Sequence, residues 1–279
     1  MKNDMIRISI IILFLTLFTI LSSGKSDKTI DSILTNEKSR KNINKNKEVL
    51  KVGTNAEYPP FEYKEDDKFV GIDMELAKIL EEKLDMKLEI LDMDFDALIP
   101  SLVANKIDVA MAAITITDKR KQRVDFSIPY YSCDLAIFAT KDSEIEINEE
   151  KDLKKYSIGV QNRTTGQIYI YKKYIEKRDM KKAQLKKYVT NSEAVTDMIN
   201  GNTDLVIIDS SAAKIYQKLK QIKIIYTIKI GESYGVAMPK DSPLKEDINT
   251  ALKEILKSDW WIDILVKYIK WIRYFYEES

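Results

Sequence analysis

Two α/β lobes joined by a double hinge are predicted by three observations. Strand-like and helix-like segments alternate from Val49 onward, the pattern restarts near Tyr156, and two apolar extended segments run between the halves in opposite directions. In the first half, VLKVGT (49–54) reads as a strand and Asp73 to Leu84 as an amphipathic helix. Its apolar face carries Met74, Leu76, Ala77, Ile79, Leu80 and Leu84, with Asp73 as the expected N-cap. KLEIL (87–91) follows as a strand, Phe95 to Ala104 as a helix, and IDVAMAAI (107–114) as a strand. In the second half, YSIGV (156–160), LKKYVT (185–190) and DLVIID (204–209) read as strands, with helices over Gly166 to Arg178 and Ser192 to Asn200. SLVANKIDVAM (101–111) and DMINGNTDLVII (197–208) share one plan: a helix end, a polar turn, an Asp and a buried strand. Alternation of this kind implies mainly parallel sheets with helices on both faces. LAIFATK (135–141) and IYTIKIGESYGVAM (225–238) supply the two crossings. The lobes are therefore expected at 48–136 with 232–279, and at 137–231, with a cleft between them. SDWWIDILVKYIKWIRY (258–274) is expected to pack on the first lobe through Trp261, Leu265, Tyr268 and Ile272.

Composition removes several classes of chemistry. The 279 residues include no histidine, so Ser-His-Asp triads, Cys-His dyads and His-ligated zinc are excluded. Cys133 is the sole cysteine, which excludes an intramolecular disulfide and a multi-cysteine metal site. No cofactor and no metal are expected. The 45 basic against 44 acidic side chains leave no footprint of a nucleic-acid binder. Residues 1–24 read as a signal peptide: Lys2 and Arg7 precede or open a 14-residue apolar run, Ile8 to Leu21, too short for a membrane span of about 20 residues. Ser22 and Gly24 occupy the −3 and −1 positions of a cut after Gly24; an uncleaved anchor is the alternative. No cysteine follows to carry a lipid, so a periplasmic location is expected. Residues 25–47, rich in Lys, Asn and Ser, read as a polar linker.

Ligands in open α/β sheets lie beyond the carboxyl ends of the strands, which directs attention to four segments. After the first strand, Asn55, Glu57, Tyr58 and Phe61 sit on a loop stiffened by Pro59 and Pro60. After the third, Ala113 and Thr115 lead to Thr117-Asp118, a helix start, and to Arg120. Only seven of the 45 basic residues are Arg, so a guanidinium here is not the compositional default, and its planar fork grips carboxylates. Gln161, Arg163, Thr165 and Gly166 open a helix in the second lobe, and Asp209 ends its last strand. An Arg with helix N-termini on one side and an Asp on the other suit a zwitterion, an α-amino acid. The same residues also admit plainer roles: Arg120 in a surface ion pair, Asp209 as a helix N-cap, Tyr58 and Phe95 as lobe core.

VGTNAEYPPFEY, GIDMELAKIL, DFDALIPSLVANKIDVAMAAITITDKRKQRVDFSIPYY and IGVQNRTTG resemble the extracellular solute-binding proteins of polar amino acid ABC importers, over about residues 49–271. The resemblance implies a type II periplasmic-binding-protein-like fold and a monomer that closes on one free amino acid and serves ABC permease subunits, without catalysis. It implies that Arg120 clamps the α-carboxylate with the Thr115 hydroxyl and the Thr165 backbone N–H, and that Asp209 takes the α-ammonium with the Ala113 carbonyl. Tyr58 and Phe95 would sandwich the ligand side chain, with Asn55, Glu57 and Gln161 at its far end. Many relatives carry Asp where Asn55 stands, and Gly at the positions of Ala113 and Arg163. Arginine, lysine or glutamine is the expected ligand, with a slight lean to the basic ones: Glu57 would be left unpaired by an acidic side chain, unless Arg163 turns inward. The alternative is a cyclohexadienyl or arogenate dehydratase-like enzyme on the same scaffold, with Glu57 as its acid.

Overall fold

The computed structural model describes residues 49–219 and 222–269. The expected leader, the linker and Ile272 lie outside them. The first strand is as expected, β1 (Val49–Thr54), and runs parallel to β5 (Lys87–Asp92) in the register Val49↔Lys87 to Thr54↔Asp92. Between them the chain folds a small antiparallel sheet, β2 (Glu57–Tyr58), β3 (Glu62–Glu65) and β4 (Lys68–Val70), whose pieces are too short to show a sequence period. Helix α1 (Ile72–Leu84) buries Ile72, Met74, Leu76, Ala77, Ile79 and Leu80. Gly71 is its N-cap, at φ 123, where an added Cβ would lie 2.2 Å from the Phe61 carbonyl oxygen. Asp73 is thus not the cap. It lies in the first turn, fully buried, and its Oδ2 accepts the Ala113 N–H at 2.8 Å and the Tyr130 hydroxyl at 2.9 Å.

Helix α2 (Phe95–Val103) leads to β6 (Val109–Ala110), much shorter than the predicted strand. The apolar run persists, but the backbone leaves the ladder and turns at Ala113, φ 47, to meet Asp73. The one-turn helix α3 (Asp118–Lys121) begins where predicted, with Thr117 Oγ1 accepting the Arg120 N–H at 3.2 Å. β7 (Asp125–Phe126) then precedes the long β8 (Tyr131–Thr140).

The second lobe contains β9 (Ile158–Gln161), α4 (Thr165–Ile170), β10 (Leu185–Tyr188), α5 (Asn191–Ile199), β11 (Leu205–Asp209) and α6 (Ser210–Leu219). The single predicted helix over 166–178 is instead α4 followed by a π-helical turn, Tyr171–Ile175. β12 (Ile222–Tyr234) returns along β8, and β13 (Ala237–Met238), α7 (Lys245–Ile255) and α8 (Asp259–Tyr268) complete the first lobe. Trp261 and Leu265 of α8 are buried, and the Tyr268 hydroxyl donates to Glu75 of α1 at 2.8 Å.

Two five-stranded sheets result, ordered β5-β1-β6-β13-β7 and β10-β9-β11-β8-β12. In each, the first three strands pair in parallel and the other two join through antiparallel pairings. The β8–β12 ribbon spans both lobes, pairing Thr140 with Ile222 at one end and Tyr131 with Tyr234 at the other. Leu135 to Phe138, expected in the crossing, already pair with β11, since their unbroken apolar run is buried on both faces of the second sheet. The link to the first lobe is made further along, by Ile116 N–H to the Ser233 carbonyl at 2.8 Å and Gly235 N–H to the Ile114 carbonyl at 3.1 Å.

Candidate functional site

The carboxyl ends of both sheets face one shared cavity. Nine of the expected residues line it: Asn55, Tyr58, Phe95, Ala113 and Thr115, with Arg120, Gln161, Thr165 and Asp209. Glu57 does not. It is exposed at the rim, because the short β2 strand alternates its side chains and turns Tyr58 inward. Burial, then the charges of Asp92, Glu193 and Asp94, raise the pKa of Glu57, while Lys64 pairs with Asp92 at 2.6 Å, so carboxylates outnumber cations at this rim.

Arg120 follows the Thr117 cap, which aims its side chain back across the loop. The residue as a whole is half-exposed, yet the guanidinium is packed among protein atoms, and burial pulls its pKa down to about 10, so it stays protonated at neutral pH. One NH donates to the Thr115 carbonyl at 2.8 Å and another to the Arg163 carbonyl at 3.3 Å. No side-chain carboxylate lies within ion-pairing distance of it among the described residues. Its Cζ lies 5.4 Å from the centre of the Phe95 ring.

Asp209 sits on the opposite wall, buried at the end of β11. Its Oδ2 accepts the Tyr58 hydroxyl at 2.9 Å and the Tyr234 hydroxyl, and its backbone N–H donates to the Tyr58 oxygen at 3.3 Å. Burial raises its pKa; the two tyrosine hydrogen bonds and the field of Arg120 oppose that rise. The carboxylate is therefore spent on tyrosines rather than on a cation, and it does not act as the cap of α6. Tyr58 is accordingly a wall of the site as well as part of the core, with its ring 6.1 Å from that of Phe61.

At the far end the amides interlock across the cleft. Gln161 Nε2 donates to Asn55 Oδ1 at 3.1 Å and to the Val189 carbonyl at 3.0 Å, and Asn191 Nδ2 donates to Gln161 Oε1 at 2.7 Å. Arg163 does not turn inward: its side chain is exposed, with Nε 3.6 Å from Asp96 on the other lobe. Its backbone is left-handed, φ 60, as is that of Ala113, φ 47. These are the two positions at which relatives were expected to carry glycine, and the φ values give the reason.

Four residues at or beside the site escaped the sequence reading. Asn191 opens α5 just beyond β10, so the strand-end rule could have found it. Glu62 lines the cavity, 1% exposed, with Oε2 unpartnered; burial, then Asp73 and Asp209, push its pKa well up. Tyr234 and Glu232 lie inside a hinge strand, where no motif marks them. Glu232 Oε2 accepts the hydroxyls of Thr165 at 2.7 Å and Thr115 at 3.1 Å.

A two-lobed α/β scaffold whose single shared cavity is lined by a buried guanidinium and a buried carboxylate suits a small-molecule binding protein. The chain belongs to the bacterial extracellular solute-binding proteins, family 3, whose model matches residues 50–270. It is 36% identical to the arginine-binding extracellular protein ArtP of Bacillus subtilis, a match covering 77% of this chain and 87% of that protein. With ABC transporter arginine-binding protein 1 of Escherichia coli it shares 32% identity, over 75% of this chain and 85% of the relative. Among solved structures, an ancestral arginine-binding protein bound to arginine superposes with a TM-score of 0.74 at 38% identity, covering 80% of this chain and 99% of the other. The arginine-, lysine-, histidine-binding protein ArtJ of Geobacillus stearothermophilus gives 0.73 at 34%, covering 79% and 95%.

Proposed function

We propose that this protein is an exported, monomeric receptor for a free L-amino acid, with arginine and lysine favoured over glutamine, that closes its lobes on the ligand and presents it to an ABC permease. Lobe boundaries just before Leu135 and near residue 232 suit that hinge motion, and a periplasmic location suits the leader. The observation that carries the reading is the pair Arg120 and Asp209. Both are desolvated on facing walls of one cavity, and neither has an ion-pair partner within reach among the described residues. A zwitterion supplies both missing partners at once. Arg120, the Thr115 hydroxyl and the Thr165 N–H take the α-carboxylate; Asp209 and the Ala113 carbonyl take the α-ammonium. Tyr58 and Phe95 flank the side chain, and Asn55, Gln161 and Asn191 meet its end. The excess of carboxylates at the rim, Glu57, Asp94 and Glu193 beside the Lys64–Asp92 pair, favours a cationic side chain.

Closure excludes water and strengthens each of these contacts. A micromolar site needs about 8 kcal/mol, within reach of two charge-assisted clusters and an aromatic contact. The protein is a binder without turnover in this reading. Glu57, the acid named for a dehydratase-like reaction, stands exposed outside the cavity wall. The test is calorimetric titration with L-arginine, L-lysine, L-glutamine and L-glutamate. Arginine or lysine should bind most tightly and glutamate at least about tenfold more weakly than either; tightest binding by glutamate would overturn the charge assignment.

A further inference from the structure

Glu232 stands on the hinge strand β12, opposite Cys133 of β8, and reaches both lobes at once. Its Oε2 accepts the hydroxyl of Thr115 from the first lobe and that of Thr165 from the second. Each threonine hydroxyl has one proton to give. While both protons point at Glu232, neither hydroxyl can donate to a second carboxylate, and a charged Glu232 also repels one.

We propose that Glu232 governs carboxylate recognition in this cleft: charged, it holds the hydroxyl protons of Thr115 and Thr165, and a ligand α-carboxylate takes them only when Glu232 is protonated or turned away. The inference rests on the amino acid reading above and adds to it a positioning residue that couples ligand binding to proton uptake.

The surroundings make that coupling fall in the neutral range. Burial and the charge of Asp209 drive the Glu232 pKa up to about 7, against the two threonine hydrogen bonds and the field of Arg120. The other groups near it are already committed. Across the ribbon, the Cys133 thiol donates to the Tyr234 hydroxyl, and Asp134 pairs with Lys229 at 3.0 Å and accepts the N–H groups of Ile230 and Gly231. Tyr234 donates to Asp209. A ligand carboxylate beside Glu232 raises its proton affinity further, so binding draws in a proton above about pH 7 and weakens as pH rises. Asp209 acts in the opposite sense, since a ligand ammonium stabilises its charged form. A variant at position 232 separates the two.

The experiment is titration of L-arginine into the full-length protein and into Glu232→Gln at about pH 6, 7 and 8, in two buffers of different ionisation enthalpy. For the wild type, Kd should rise about tenfold from pH 6 to 8, with proton uptake approaching one per ligand at the upper end. Glu232→Gln should bind with a nearly flat profile, at least about fivefold more tightly than wild type at pH 8, and without that uptake. Glu232→Ala, which accepts neither hydroxyl, should bind at pH 8 at least as tightly as Glu232→Gln. A wild-type profile that is flat, or that Glu232→Gln reproduces, overturns the role of Glu232 while leaving the receptor intact. Failure of arginine, lysine and glutamine alike to bind the wild type at any pH overturns the receptor reading and this inference with it.

Discussion

Replacing Asp209 by Asn should separate folding from function. The amide keeps a carbonyl oxygen where Oδ2 accepts the Tyr58 and Tyr234 hydroxyls, so the local hydrogen bonds survive. What disappears is a negative charge that burial already penalises and that no side-chain cation pairs in the free protein among the described residues. Removing an unpaired buried charge should leave the free protein within about 1 kcal/mol of wild type, or roughly 4 °C in melting temperature for a chain of this size. The liganded protein should suffer instead, because a desolvated ammonium loses its charged acceptor. That loss costs about 2–5 kcal/mol, or roughly 30-fold to several thousandfold in Kd. Thermal melts of the free variant and calorimetric titration with arginine at neutral pH read the two quantities separately. Arginine affinity within about threefold of wild type, or a melting point that collapses without ligand, would refute the reasoning.

Three more outcomes follow from the geometry. Arg120→Lys should weaken arginine binding at least about tenfold, because one ammonium cannot replace a planar fork, whereas Arg123→Lys should leave calorimetric affinity nearly unchanged. Arg163→Gly should relieve a left-handed backbone at φ 60, offset by loss of an exposed pairing with Asp96, for a net gain of about 1 kcal/mol or less in denaturant unfolding. Its arginine affinity should stay within about threefold, since the side chain lies outside the cavity. Burial raises the Asp73 pKa from 3.8 to about 7, so the fold favours the protonated acid and loses stability as pH rises through that window. Asp73→Asn should therefore gain on wild type in melts between about pH 4 and 7, and the difference should level off above that.

Much of this was legible in the sequence, for reasons that can be traced residue by residue. β1, β5 and α5 carry clean periods, so their limits match to within a residue or so. Thr117 and Asp209 sit at element ends, where side-chain chemistry announces a helix start or a strand end. Glu57 misled because one position on a two-residue strand decides between cavity and solvent, and only the paired strand β3 fixes that register. The predicted 107–114 strand failed because an apolar run does not reveal the left-handed turn at Ala113 that ends it. Glu232, Tyr234 and Glu62 were invisible because their roles arise from contacts over long sequence separations, Thr115 to Glu232 and Tyr58 to Asp209 among them.

The claim that the cleft recognises both charged ends of an amino acid is tested most directly by removing one end at a time from the ligand. Calorimetric titration would compare L-arginine with agmatine, which lacks the carboxylate, and with the deaminated analogue, which lacks the ammonium. Arginine should bind in the micromolar range or below, and each analogue at least about a hundredfold more weakly, since each strands a buried charge, Arg120 in one case and Asp209 in the other. Binding of either analogue with an affinity close to that of arginine would contradict the account.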